Sequence, residues 1–131
     1  MKNLKILFSV IVLAVFVISC SSDSDNSPKV KYQIAEIDNA ITEIRYTKSN
    51  GDTQILSDWT EFAGTNGDSK TVSASDIPFN AELKITVNNT TPNTKTYTLV
   101  IYVDGEVADF TPMSVPPMAI TTGVVDYIVE P

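Results

Sequence analysis

Reactive side chains are scarce in this 131-residue chain, and the scarcity narrows its chemistry at once. It holds no histidine and one cysteine, Cys20. Without histidine, the usual zinc sites, Ser-His-Asp and Cys-His triads and imidazole acid/base chemistry fall away. Carboxylates are the plentiful group, and a pair such as Asp58 and Glu61, or Asp104 and Glu106, could in principle supply an acid and a base. Aspartates in turns bond nearby backbone, so these four residues are expected as solvated turn residues. The runs Asp23-Ser24-Asp25-Asn26 and Asn66-Gly67-Asp68 carry oxygens of the calcium-binding type, but neither has the ligand count of an EF-hand loop. No metal and no cofactor is expected. The most specific chemistry left is the sulfur of Cys20.

The residues before Cys20 say what that sulfur is for. Met1 to Lys5 is short and basic, and Ile6 to Ser19 is uncharged and apolar apart from Ser9 and Ser19. That order matches the n-region and h-region of a secretory signal. A spanning helix needs about 20 apolar residues, and this run gives way too soon to Ser21-Ser22-Asp23-Ser24-Asp25. Val17-Ile18-Ser19-Cys20 resembles a bacterial lipobox: aliphatic residues, a small residue at the cleavage point, then the cysteine that accepts a diacylglyceryl group as a thioether. Residues 1–19 are therefore expected to be removed by cleavage between Ser19 and Cys20. At about 0.8 kcal/mol per buried methylene, two or three acyl chains on Cys20 hold a protein to a membrane firmly.

Past the anchor, Ser21 to Ser27 is polar and acidic with nothing to bury, so residues 20–28 read as a lipidated tether. As a flexible coil of about eight residues it spans roughly 16 Å r.m.s.. Residues 29–131 form one domain, long enough for a modest core. Loss of Lys2 and Lys5 with the signal moves the formal charge from −7 to −9, a field that repels nucleic acid. With the only thiol lipidated, the domain holds no disulfide and must be stabilised by aliphatic burial.

That domain reads as all-β. Lys29 to Ile37 alternates, with Val30, Tyr32 and Ile34 on one face; Ile41 to Lys48 follows, then the Asn50-Gly51 pair of a hairpin, then Thr53 to Leu56. Ser57 to Ser69 is irregular and contains Trp59 and Phe62. Further strands are expected at Lys70 to Ala74, at Ala81 to Val87, at Thr96 to Val103 and, after the Asp104-Gly105 turn, at Glu106 to Phe110. Pro112, Pro116 and Pro117 are expected to break the chain before a last strand, Val124 to Val129. Seven to eight short antiparallel strands fit an immunoglobulin-like β-sandwich. Tyr97 is either a tyrosine corner or one more core aromatic. Trp59 and Phe62 are the candidates for ligand or partner contact, since a loop aromatic can stack on a sugar or anchor an interface; the alternative for Trp59 is a plug at the end of the sandwich.

Three stretches carry a family resemblance: Ile44-Arg45-Tyr46-Thr47 leading to Gly51-Asp52-Thr53, then Leu83-Lys84-Ile85-Thr86-Val87, then Leu99 to Gly105. Through them the domain resembles the sandwich domains of the mycobacterial membrane protein small family and of small lipoproteins of the Bacteroidota. The acidic serine-rich run after Cys20 is similar to the signal of surface-exposed lipoproteins in that phylum. The resemblance implies a β-sandwich and, for the first family, an accessory of an envelope exporter held by an N-terminal helix, where this chain has a lipid. The expectation is a non-catalytic, lipid-anchored envelope lipoprotein on the outer membrane, surface-exposed or periplasmic, that binds a protein or glycan. An accessory subunit of an envelope transporter and a small carboxylate hydrolase are the alternatives.

Overall fold

A computed structural model describes residues 26–62 and 69–131. Its strands are β1 (Lys29–Ala35), β2 (Ile41–Thr47), β3 (Thr53–Leu56), β4 (Ser69–Ser73), β5 (Phe79–Asn89), β6 (Lys95–Val103), β7 (Glu106–Val115) and β8 (Ala119–Val129). They form two four-stranded antiparallel sheets, ordered β4-β1-β6-β7 and β3-β2-β5-β8. The chain is thus an immunoglobulin-like β-sandwich of eight strands. Renaming β1–β4 as β5–β8, and the reverse, reproduces every strand pairing. The two halves are wound alike, although they share no sequence repeat.

Alternation builds the core. Val30, Tyr32 and Ile34 of β1, with Leu99 and Ile101 beside them on β6, form the inner side of one sheet, and Ala81, Leu83, Ile85 and Val87 of β5 form that of the other; all are fully buried. Each such Val, Ile or Leu contributes about 1.5–3 kcal/mol by leaving water. Gly123 lies where β8 closes on β7: a Cβ there would come within 2.5 Å of Met113 Sδ.

Two expectations need correction. β7 does not stop at Phe110 but runs through Pro112 to Val115, with Pro112 opposite Thr98. Because β7 is an edge strand, the proline forfeits no ladder bond to a second neighbour. β8 likewise starts at Ala119, not Val124. The hairpin at Asn50-Gly51 forms as expected: Thr47 pairs with Thr53, the loop runs from Lys48 to Asp52, and of the two only Gly51 has positive φ. The tight turn with both residues at positive φ is Asp104-Gly105.

The strands give the molecule two poles. At one, Lys29 and the chain leading into it meet the loops at Lys48–Asp52, Ala74–Pro78 and Asp104-Gly105, and the C-terminal end of β8. At the other lie the connections β1–β2, β5–β6 and β7–β8.

Candidate functional site

Ser19, Cys20 and the residues up to Asp25 lie outside the described residues, as does Asn66-Gly67-Asp68. The entry point of the tether is described. Lys29 N–H donates to Asp104 Oδ1 at 2.9 Å, Lys29 Nζ to Ser73 Oγ at 2.6 Å, and Ala74 N–H to the Pro28 carbonyl at 2.9 Å. Chain entering at residue 28 is therefore fastened to β4 and to the β6–β7 turn before it reaches the sheet.

Trp59 and Phe62 separate. Asp58 caps a single 3-10 turn, Trp59–Glu61, by accepting from Thr60 N–H at 2.9 Å and Thr60 Oγ at 2.7 Å. Those bonds hold the Asp58 carboxyl below the usual carboxylate range. The turn delivers Phe62 into the core, where it is fully buried and edge-on to Tyr46, ring centroids 6.0 Å apart. Tyr46 in turn lies 5.6 Å from Tyr32, whose hydroxyl donates to the Thr47 carbonyl at 2.9 Å. Phe62 closes one side of the sandwich and offers no free face. Trp59 is half-buried against the same core and keeps part of its ring at the surface.

Of the carboxylates considered for acid/base work, Asp58 and Asp104 are held by turns. Asp58 is a cap, and Asp104 accepts from Lys29 N–H. Among the described residues no three His, Cys, Asp or Glu side chains converge as a metal site.

The most elaborate polar geometry lies at the pole away from the tether. Asp38, in the β1–β2 connection, accepts from Tyr97 Oη at 2.8 Å and Ala40 N–H at 3.0 Å through Oδ1, and from Lys95 Nζ at 2.6 Å through Oδ2. Partial burial pushes the Asp38 carboxyl up, but the bonds from Lys95, Tyr97 and Ala40 outweigh it and hold it below its ordinary value. Burial, joined by the adjacent Asp38 charge, pushes the Tyr97 hydroxyl up. Tyr97 is thus a core aromatic whose polar tip reaches an aspartate 59 residues away, and it bonds a side chain, not the nearby backbone as a tyrosine corner does.

Asn89 was not singled out by its type, yet it is fully buried. Its Nδ2 donates to the carbonyls of Asn93 (2.7 Å), Pro116 (3.1 Å) and Val115 (3.2 Å), while Oδ1 accepts from Thr91 N–H and Thr91 Oγ. One side chain therefore ties β5, the β5–β6 turn and the end of β7 together. A signal for it existed: Asn89 continues the inward parity of Ala81, Leu83, Ile85 and Val87. Beside this knot, Asn39, Ala40, Thr42, Asn88, Thr90, Thr91 and Lys95 line an open cavity of about 210 Å³.

No protein-family model matches the chain. Nor does any curated protein match it. The site is therefore described by its own chemistry. Amides and hydroxyls dominate the cavity wall, groups that both donate and accept and so suit hydroxyl-rich or peptide-like surfaces.

Proposed function

We propose that this protein is a non-catalytic lipoprotein of the bacterial envelope, anchored to the outer membrane by lipid on Cys20 and serving as a binding or accessory module for a protein or glycan. The observation that carries the proposal is the apolar run ending in Val17-Ile18-Ser19-Cys20, followed by an acidic tether and a separate sandwich that begins at Lys29. Support also comes from the polarity of the fold. The tether enters at one pole, and the cavity beside Asn88, Thr90 and Thr91 opens at the other, where the anchor leaves it accessible.

The chemistry of the described carboxylates supports a binding role over hydrolysis. Asp38, Asp58 and Asp104 are each engaged by a backbone N–H, which is a structural use of a carboxylate. The half-exposed part of Trp59 is a second contact point, on the flank of the domain.

The test is metabolic labelling with a fatty acid in bacterial cells. The wild-type chain is expected to incorporate label, and Cys20→Ala to incorporate none. Equal labelling of the two, or none in either, would overturn lipidation at Cys20.

A further inference from the structure

A β-sandwich has four edges, and this one treats them unequally. An edge strand presents unpaired N–H and C=O groups, and proteins blunt it with shortness, charge, proline or a bulge. β3 has 4 residues and β4 has 5. β7 has 10, but its register with β6 slips between Ile101 and Tyr102, and it carries Glu106, Asp109 and Pro112. β8 has 11 residues, none of them proline, and an unbroken register with β5 from Ala119 to Val129. Its one charged residue is Asp126, in a chain with 16 acidic and 9 basic residues. Among the described residues, no strand pairs with its other side.

The solvent face of β8 is apolar as well. Ile120 is 70% exposed, Ile128 53% and Val124 39%. Their spacing is symmetric: Ile120 and Ile128 stand four residues either side of Val124. That symmetry has a geometric meaning, because two antiparallel strands related by a two-fold axis place residue c−k opposite residue c+k. Centred on Val124, the axis sets Val124 against its own copy, Ile120 against Ile128 of the second copy, and Thr122 against Asp126 of the second copy. Each apolar residue meets an apolar one, and no carboxylate faces another. A one-residue slip would pair Asp126 with an apolar or inward-facing neighbour and lose the match.

We propose that β8 is a self-association edge, on which a second copy of this chain pairs β8 to β8 antiparallel about Val124, merging two four-stranded sheets into one continuous sheet. The pairing satisfies the outer backbone groups of the longest edge and covers the Ile120-Val124-Ile128 stripe on both copies. It does not depend on the anchor or on the ligand of the far pole.

The experiment is cysteine crosslinking in the full-length chain, solubilised in mild detergent and oxidised. Directly opposed residues in an antiparallel pair have Cα atoms about 4.5–5.5 Å apart, within disulfide range. Val124→Cys is expected to give a covalent dimer at least tenfold above the parent chain treated alike. Thr122→Cys lies on the same face, but its own copy sits about 13 Å away along the strand, so it is expected to stay at background. Val124→Lys is expected to shift the mass by light scattering from dimer to monomer with the far-ultraviolet circular dichroism unchanged; if that variant fails to fold, the crosslinking pair still decides. A monomeric parent chain, equal crosslinking at positions 122 and 124, or a different protein held on the edge of a monomeric chain would each overturn the proposal.

Discussion

The two poles of the sandwich solve the same problem by different means. At the pole where Lys29 enters, the chain reverses by backbone conformation: Asp104 and Gly105 take φ of 50° and 85°, Gly51 takes 87°, and most of the side-chain bonds there, such as those of Asn50 to Asp52, are exposed. At the far pole Glu36 and Met118 also take positive φ, of 66° and 57°, but the connections are held in addition by side chains that reach across the fold. Asn89 binds three carbonyls, and Asp38 gathers Tyr97, Lys95 and Ala40. Turns set by backbone conformation tolerate change on their surface. Connections knitted by buried polar groups do not, because each orphaned group keeps its desolvation cost. The far pole is accordingly the more rigid platform, and the cavity beside it is walled by connections that have little freedom to move.

That contrast can be broken from the far side first. Asn89→Ala removes the partner of three carbonyls at a fully buried position and is expected to cost about 3 kcal/mol of unfolding free energy, read by chemical denaturation. At the tether pole the largest effect belongs to the backbone. Gly105→Ala puts a Cβ at φ 85° with open space around it, so strain alone acts, and about 1–2 kcal/mol is expected in the same assay. Comparable losses from Asn89→Ala and an exposed turn residue such as Asn50→Ala would erase the distinction.

A third test sharpens the contrast through pH. Asp38 has a folded-state pKa below its unfolded value, so its contribution is present above the ordinary aspartate pKa of about 3.9 and is lost as pH falls through the lower, folded value. Tyr97→Phe removes one of the bonds that lower it. The variant is expected to lose about 1 kcal/mol at neutral pH and to shift the Asp38 titration, followed by carboxyl NMR, upward. An unmoved titration would mean that Lys95 and the Ala40 N–H hold the carboxylate by themselves. The smallest change is expected from Asn50→Ala, whose bonds to Asp52 are exposed, at under about 0.5 kcal/mol.

Much of the fold is legible from alternation. Val30, Tyr32 and Ile34, or Ala81, Leu83, Ile85 and Val87, announce their buried face by period two, and the structure buries each of them. What alternation could not place were features decided by neighbours in space. Pro112 reads as a break, yet it is accommodated because β7 has a neighbour on one side only. Trp59 and Phe62 look alike as loop aromatics; the cap at Asp58 and the 3-10 turn decide that Phe62 goes inward and Trp59 stays at the margin. The Asp38 and Tyr97 contact spans 59 residues and has no local signature. Asn89 was accessible in principle, since it keeps the inward parity of β5, but its polar type argues against burial until Thr91, Asn93, Val115 and Pro116 are seen around it.

The proposed orientation of the domain, with the cavity at the pole opposite Lys29 turned away from the anchor, depends on where the mature chain begins and what it carries. The most direct test is the intact mass of the protein recovered from cell membranes, with the N-terminal peptide sequenced by fragmentation. The account predicts a chain that starts at Cys20 and bears a diacylglyceryl group on its sulfur. A chain that retains Met1 to Ser19, or that starts elsewhere with Cys20 as a free thiol, would contradict it.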